Sequence, residues 1–441
     1  MSNSTPPAYD PVQLRRAITS SFLGSVVEYY DFLLYGTAAA VVFNKLFFTE
    51  LSPLVATVAS FGTFATGYLA RPLGGVLFGH WGDRLGRKRM LIITMSLMGV
   101  ASALIGVLPT YDAIGTLAPL LLVVLRVIQG IAVGGEWGGA VLMSAEHART
   151  RRGLWASFTN AGAPFGMVLS TLVLTVSGAI AGKDGFLTWG WRVPFLLSIV
   201  LVAIGLFVRL RVAETPVFAA ARDAAERPRA PLADVLRRRP VTLALGVGIG
   251  FAAFVVQGAL TTFLIAYGVG IGYERQTVLN GLTVSSACAV IGIVGWAALS
   301  DRLGRRPLIV AGAVLLIIYS FALFPLVNTG NGAVLTITLV LGQGVLHPMV
   351  YGPLAALYTE LFRTRSRYTG ASLGYQIAGI GAGIGPVLFA QIQATTGGGG
   401  TMAISAIMAG FCVLTIVCVL ILKETRHNDL TEPATTAEIT A

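Results

Sequence analysis

Apolar residues come along this chain in long, nearly unbroken blocks. Six blocks cover about 17–43, 53–79, 90–108, 117–144, 154–178 and 192–210. After a charged stretch six more follow, at about 241–269, 277–299, 307–327, 332–359, 369–394 and 401–422. A helix needs roughly 20 apolar residues to cross the hydrocarbon core of a bilayer. Twelve such blocks therefore predict an all-α integral membrane protein with twelve transmembrane helices. The block at 17–43 is too long for the core of a cleaved secretion signal and carries acids inside it, so it reads as the first span. The predicted organisation is an N-tail at 1–16, a six-helix bundle at 17–210 and a linker at 211–240. A second six-helix bundle at 241–423 and a tail at 424–441 complete it.

Composition agrees with this pattern. The chain has 441 residues, 55% of them hydrophobic and 12% charged, about half the charged share of a soluble domain. The formal charge of +11 raises the question of nucleic acid, and position answers it. On the side that carries both predicted termini lie 25 of the 31 Lys and Arg residues, whereas the opposite loops hold Lys45, Lys183, Arg192 and Arg275. Such a bias is the topology signal of membrane proteins. It predicts cytoplasmic termini in a bacterial inner membrane and no nucleic-acid partner. The three cysteines have no metal or redox spacing.

The chain also repeats. Gly79-His-Trp-Gly-Asp83-Arg84-Leu-Gly86-Arg87-Lys88-Arg89 follows the second block, and Asp301-Arg302-Leu-Gly304-Arg305-Arg306 follows the eighth. The fourth block ends in Glu146 with Arg149 three residues on; the tenth ends in Glu360 with Arg363 three residues on. Two bundles in parallel repeat, each with a nested inverted repeat, are the architecture of alternating access.

These loops, with Arg126-x-x-Gln129-Gly130, resemble the major facilitator superfamily. Four further stretches are similar to its metabolite–proton symporters: Glu28-Tyr-Tyr-Asp31-Phe-Leu-Leu-Tyr35-Gly36, Arg71-Pro-Leu-Gly-Gly75, Gly134-Gly-Glu136-Trp-Gly-Gly139 and Trp189-Gly-Trp-Arg192-Val-Pro-Phe195. Within that family the likeness is greatest to shikimate-type transporters, with α-ketoglutarate and proline/betaine transporters as relatives. Tyr29 departs from the pattern, standing where the family commonly has Trp. The resemblance implies proton-coupled uptake of a small metabolite, with no cofactor beyond the coupling proton.

A charge at the bilayer centre costs about 2.5–3.5 kcal/mol on insertion scales. Five are expected inside helices: Glu28, Asp31, Arg71, Arg126 and Glu136. Glu28 and Asp31 project from one helix face. Arg126 is expected at the depth of Asp31, where the two form either a proton-dependent switch or a permanent ion pair. Glu28 and Glu136 are further proton-coupling candidates. Arg71 either takes a substrate carboxylate through its planar fork or neutralises Glu28 or Glu136.

Tyr30, Tyr35 and Gln129 in the first half are candidate substrate contacts. Gln343, His347, Tyr351, Tyr375 and Gln376 are their counterparts in the second half, where the first three form one helical stripe. Trp189 and Trp191 read as membrane-interface anchors. Asp83, Arg84, Arg87, Glu146 and Arg149, with Asp301, Arg302, Glu360 and Arg363, read as a cytoplasmic gate in which Asp83 meets the N-terminus of a neighbouring helix and Arg149 and Arg363 pair with Asp83, Asp301, Glu146 or Glu360.

The expected function is secondary transport rather than catalysis, since no nucleotide loop, zinc spacing or Ser/His/Asp cluster is present. The expected cargo is a small carboxylate such as shikimate, carried into the cell by a monomer in the lipid bilayer. Proline or betaine symport is the alternative, and efflux antiport the less favoured one. An efflux-type run in the fifth block is incomplete, reading Gly162-Ala-Pro164-Phe-Gly166.

Overall fold

A computed structural model describes residues 11–85, 87–148, 150–210, 231–362 and 367–426. Among these, twelve helices are long and apolar enough to cross a membrane. The first six are α1 (Gln13–Leu46), α2 (Pro53–Phe78), α3 (Arg89–Val107), α4 (Leu117–Ala145), α5 (Arg152–Gly182) and α6 (Phe186–Leu210). The second six are α7 (Pro240–Gly270), α8 (Arg275–Leu303), α9 (Arg305–Val327), α10 (Gly332–Leu361), α11 (Arg367–Thr395) and α12 (Thr401–Ile421). The first helix begins at Pro11, so part of the expected N-tail is already helical. Within the expected linker, Pro231–Arg238 forms a short helix, and 211–230 lies outside the described residues.

Helix pairing follows the repeat. In the first half α1 packs on α5, α2 on α4 and α3 on α6; in the second half α7 packs on α11, α8 on α10 and α9 on α12. Each second-half pair is a first-half pair moved on by six helices. Across the interface α2 packs on α11 and α5 on α8, and these two contacts exchange under the same operation. Local backbone repeats too: a π-helical turn at Ala39–Phe43 in α1 recurs at Ala259–Phe263 in α7. Large apolar side chains such as Ile180, Ile291 and Met402 are exposed, which suits contact with lipid rather than water.

The α2–α4 contact is a main-chain seam. A methyl group added at Gly130, Gly134 or Gly74 would collide with the carbonyl oxygens of Gly67, Arg71 and Ile131 respectively. Small residues allow such approach in membrane helices, and here the approach fixes Arg71 against α4. Farther along, α4 breaks at Gly135–Glu136, which frees carbonyls. Gly135 O accepts from the Tyr368 hydroxyl at 2.8 Å and Gly134 O from Gln376 Nε2 at 3.3 Å. Both donors belong to α11, so the break in one half is completed by the other.

Candidate functional site

The middle of the interface is built from tyrosines. Tyr375 of α11 shares hydrogen bonds of 2.6 Å with both Tyr29 of α1 and Tyr351 of α10, and Tyr29 and Tyr351 lie 3.5 Å apart. All three are buried. Trp137 of α4 stacks on Tyr375 with ring centroids 3.6 Å apart. Its Nε1 donates to Asn160 at 3.2 Å, and Asn160 Nδ2 donates to Tyr351 O at 3.0 Å. Four aromatic side chains and one amide thus tie the halves together at mid-depth. Sequence reading placed Tyr351 and Tyr375 here but noted Tyr29 only as a departure and missed Asn160. The Trp-to-Tyr change at 29 was the available signal, because a phenol adds the hydroxyl that closes this cluster.

Arg71 lies beside the cluster. Its guanidinium carbon is 3.9 Å from the centre of the Phe32 ring, 4.3 Å from Tyr68 and 5.8 Å from Tyr29. It is fully buried, and among the described residues none of its three side-chain nitrogens has a hydrogen-bond partner. Ring faces stabilise a desolvated cation, but they leave its N–H donors unused. Nor does Arg71 pair with Glu28, whose two carboxylate oxygens are likewise without partners.

The expected Asp31–Arg126 ion pair is not formed. Asp31 Oδ1 accepts a hydrogen bond from Ser198 of α6. Arg126 lies over Phe32 at 3.5 Å and Tyr35 at 4.3 Å, donates to Gln129 Oε1 at 3.0 Å and reaches Phe32 O at 3.4 Å. Shared depth brought the two residues to one level, but helix rotation sets the direction in which each side chain points. Glu136 does form an ion pair, with Arg209 at the end of α6. Arg209 stands at the end of the sixth apolar block, where its sequence position gives no sign of a buried partner.

Other expected substrate contacts divide. Tyr30 donates to Pro194 O at 2.8 Å and Tyr35 to Thr63 Oγ1 at 2.7 Å. Gln129 joins Arg126 to Ser102, donating to the serine at 2.7 Å. These three are therefore engaged within the first half and do not reach the interface cluster here. Gln343 and His347, in contrast, line a cavity of about 20 Å³ with Leu33, Met167, Gln257 and Tyr351, room for about one water. His347 Nε2 is 3.0 Å from Ala253 O, and Gln343 bridges Ser285 and Ser286. Trp191 is not an interface anchor: it is buried among Phe43, Phe47 and Phe195. Trp189 is 46% exposed, as an anchor would be.

Both ends of the interface are also engaged. At the face where the termini emerge, Asp301 accepts from the backbone N–H groups of Gly153 and Leu154, at 2.8 and 2.9 Å. A carboxylate at the N-terminus of α5 is favoured by unpaired amides and the helix dipole. Arg305 Nη2 is 2.8 Å from Asp301 and 3.1 Å from Glu360. Thr425 donates to Glu360 at 2.7 Å, while Glu424 accepts from the backbone N–H groups of Arg305 and Arg306. Arg302 is exposed and contributes its carbonyl, which accepts from Arg426. The side chains of Asp83, Arg84, Arg87 and Glu146, and all of Arg149 and Arg363, lie outside the described residues. At the opposite face Thr171 and Thr283 share a hydrogen bond of 2.7 Å, and Gln276 donates to Thr175 at 3.1 Å. The halves therefore touch at both faces and at the centre.

A family model described as Major Facilitator Superfamily matches residues 21–386. The chain belongs to that superfamily. Among similar relatives of this major facilitator is the Shikimate transporter of Escherichia coli (strain K12), 39% identical over 94% of this chain and 95% of the relative. The Proline/betaine transporter of the same strain is 33% identical over 87% of this chain and 78% of that relative. A solved D-xylose-proton symporter superposes with a TM-score of 0.74 at 19% identity, covering 96% of this chain and all of that one. This major facilitator is accordingly a multi-pass inner-membrane transporter and not an enzyme.

Proposed function

We infer that this transporter carries a small carboxylate, shikimate or a related hydroxylated organic acid, into the cell together with protons. Arg71 supports the reading most directly: a buried guanidinium at mid-depth, caged by rings, with every N–H donor unspent. A carboxylate is the acceptor that matches such a fork with two parallel charge-assisted hydrogen bonds. The neutral amides, His347 and Tyr351 across the interface suit the hydroxyls of the same molecule. Asp31 and Arg126 are the coupling pair in this reading. They are separate here, and their approach in another state would favour release of the Asp31 proton. The bias of Lys and Arg toward the terminal side supports cytoplasmic termini.

Proline or glycine betaine is the second reading, supported by similarity to the proline/betaine relative. Uptake of labelled shikimate, proline and glycine betaine into proteoliposomes, with and without an inward proton gradient, tests both. Gradient-driven accumulation of shikimate that a protonophore abolishes is the expected result. Accumulation of proline or betaine alone would transfer the assignment to the second reading. Uptake indifferent to the gradient would overturn proton coupling.

A further inference from the structure

The Glu136–Arg209 ion pair runs across α1 at Gly24. A Cβ at Gly24 would overlap Arg209 Nη2 and lie 3.1 Å from both Arg209 Cζ and Glu136 Oε1. Gly24 is four residues before Glu28, so the pair crosses the helix face that carries Glu28 one turn farther on. Glu28, Glu136 and Arg209 are all buried. Among the described residues, the charged and titratable groups near enough to act electrostatically on Glu28 include Arg71 and Tyr68 from α2, Glu136 from α4, Arg209 from α6 and Tyr351 from α10, beside Tyr29 on its own helix. None of them donates a hydrogen bond to its carboxylate, and among the described residues Arg209 Nε has no acceptor.

Two carboxylates therefore share the reach of one arginine. The other guanidinium, Arg71, is engaged by rings and, in the function inferred above, reserved for the cargo. A second buried carboxylate with neither cation nor donor carries an uncompensated charge, which costs several kcal/mol, so this arrangement accommodates one proton. It belongs on Glu28, because Glu136 holds Arg209 and Glu28 holds nothing.

We propose that Arg209 is a positioning residue shared by two acids: it keeps Glu136 ionised in the state described here and passes to Glu28 when Glu28 gives up its proton. The step breaks the O–H bond of Glu28 and delivers the proton to water on the side that opens; Arg209 turns to the new carboxylate, and the same water solvates the Glu136 carboxylate it leaves. Reloading is the reverse. Glu28 is then a proton site distinct from Asp31, and Gly24 is the gap through which the guanidinium moves. This rests on the proton-symport reading for its role in transport, but the site itself is testable without any cargo.

The experiment follows the C=O stretch of protonated buried carboxyls by infrared spectroscopy, on the full-length protein in lipid, as pH is raised. The wild-type spectrum is expected to contain a band that Glu28→Gln removes. Glu136→Gln frees Arg209 for Glu28 without orphaning a charge. In the double variant Glu136→Gln/Arg209→Gln that band is expected to persist to a pH at least one unit higher than in Glu136→Gln, the size of effect an adjacent guanidinium has on a carboxyl. Lysine at 209 should give an intermediate value. If the double variant does not fold, Gly24→Ala in the Glu136→Gln background displaces the guanidinium instead and should move the band in the same direction. A spectrum that Glu28→Gln leaves unchanged, or a Glu28 band that vanishes at the same pH with and without Arg209, overturns the proposal. Loss of proton-driven uptake in the wild type with the infrared shifts intact would sink the symport reading alone.

Discussion

Replacing Arg71 by Gln separates a binding role from a structural one, because the wild-type side chain makes no hydrogen bond that the fold would lose. Two contributions to stability oppose each other. Desolvated cation–π contacts contribute up to about 2 kcal/mol each, and Arg71 has two within 4.3 Å. Against them stands the cost of a buried, unpartnered charge, which is several kcal/mol. Thermal stability of the cargo-free protein is therefore expected to stay the same or rise. Affinity for a carboxylate should fall steeply, since removing one partner of a desolvated charged hydrogen bond costs 2–5 kcal/mol, roughly 30- to 5,000-fold. Lysine should rescue only in part, for an ammonium lacks the planar fork. The assay is competition of shikimate and its methyl ester against labelled shikimate in detergent, with a melting curve on each variant. Acid and ester weakened equally, with a lowered melting temperature, would refute the reasoning and return Arg71 to a structural role.

Asp31→Asn is expected to abolish proton-driven accumulation while counterflow between pre-loaded vesicles remains measurable; accumulation at the wild-type level would make Asp31 structural. Asp301→Asn removes the charge at the start of α5 and should slow uptake while changing affinity less than about tenfold, with complete loss of binding in a folded protein as the contrary result. Tyr375→Phe deletes two 2.6 Å hydrogen bonds, the one to Tyr29 running between the halves, and should cost about 1–3 kcal/mol, read as a lower melting temperature. It should also speed labelling of a cysteine placed at Leu33; an unchanged labelling rate would show that the cluster does not hold the halves together.

Twelve spans, two halves and the inward acids were legible because lipid imposes a simple rule on sequence: long apolar runs span, and a charge within one needs a reason. The helix N-terminus expected for Asp83 is met by its repeat counterpart Asp301, at Gly153 and Leu154, while the Asp83 side chain lies outside the described residues. Azimuth was illegible. Glu28 and Asp31 share a helix face by spacing alone, but whether Asp31 reaches Arg126 or Ser198 depends on how α4 and α6 rotate against α1. Arg209 and Glu424 were missed for a related reason. Each stands at the edge of an apolar run, where a charge is ordinary, and only the neighbouring chain reveals that Arg209 is buried and that Glu424 caps α9.

The uneven placement of formal charge has an electrical consequence. Glu28, Asp31, Arg71, Arg126, Glu136 and Arg209 all belong to the first half, and the α2–α4 seam fixes the backbone of Arg71 within it. The cavity-lining side of the second half presents amides, hydroxyls and an imidazole. When one half rocks against the other, these six groups travel as a single body, and the formal charges of its three acids and three arginines cancel. The voltage dependence of transport is then set chiefly by what is carried. A carboxylate with one proton crosses as a neutral load and is indifferent to membrane potential. A second proton, from a second acid such as Glu28, makes the load a net cation, worth about 2.3 kcal/mol per 100 mV. Current recorded during uptake therefore counts the protons.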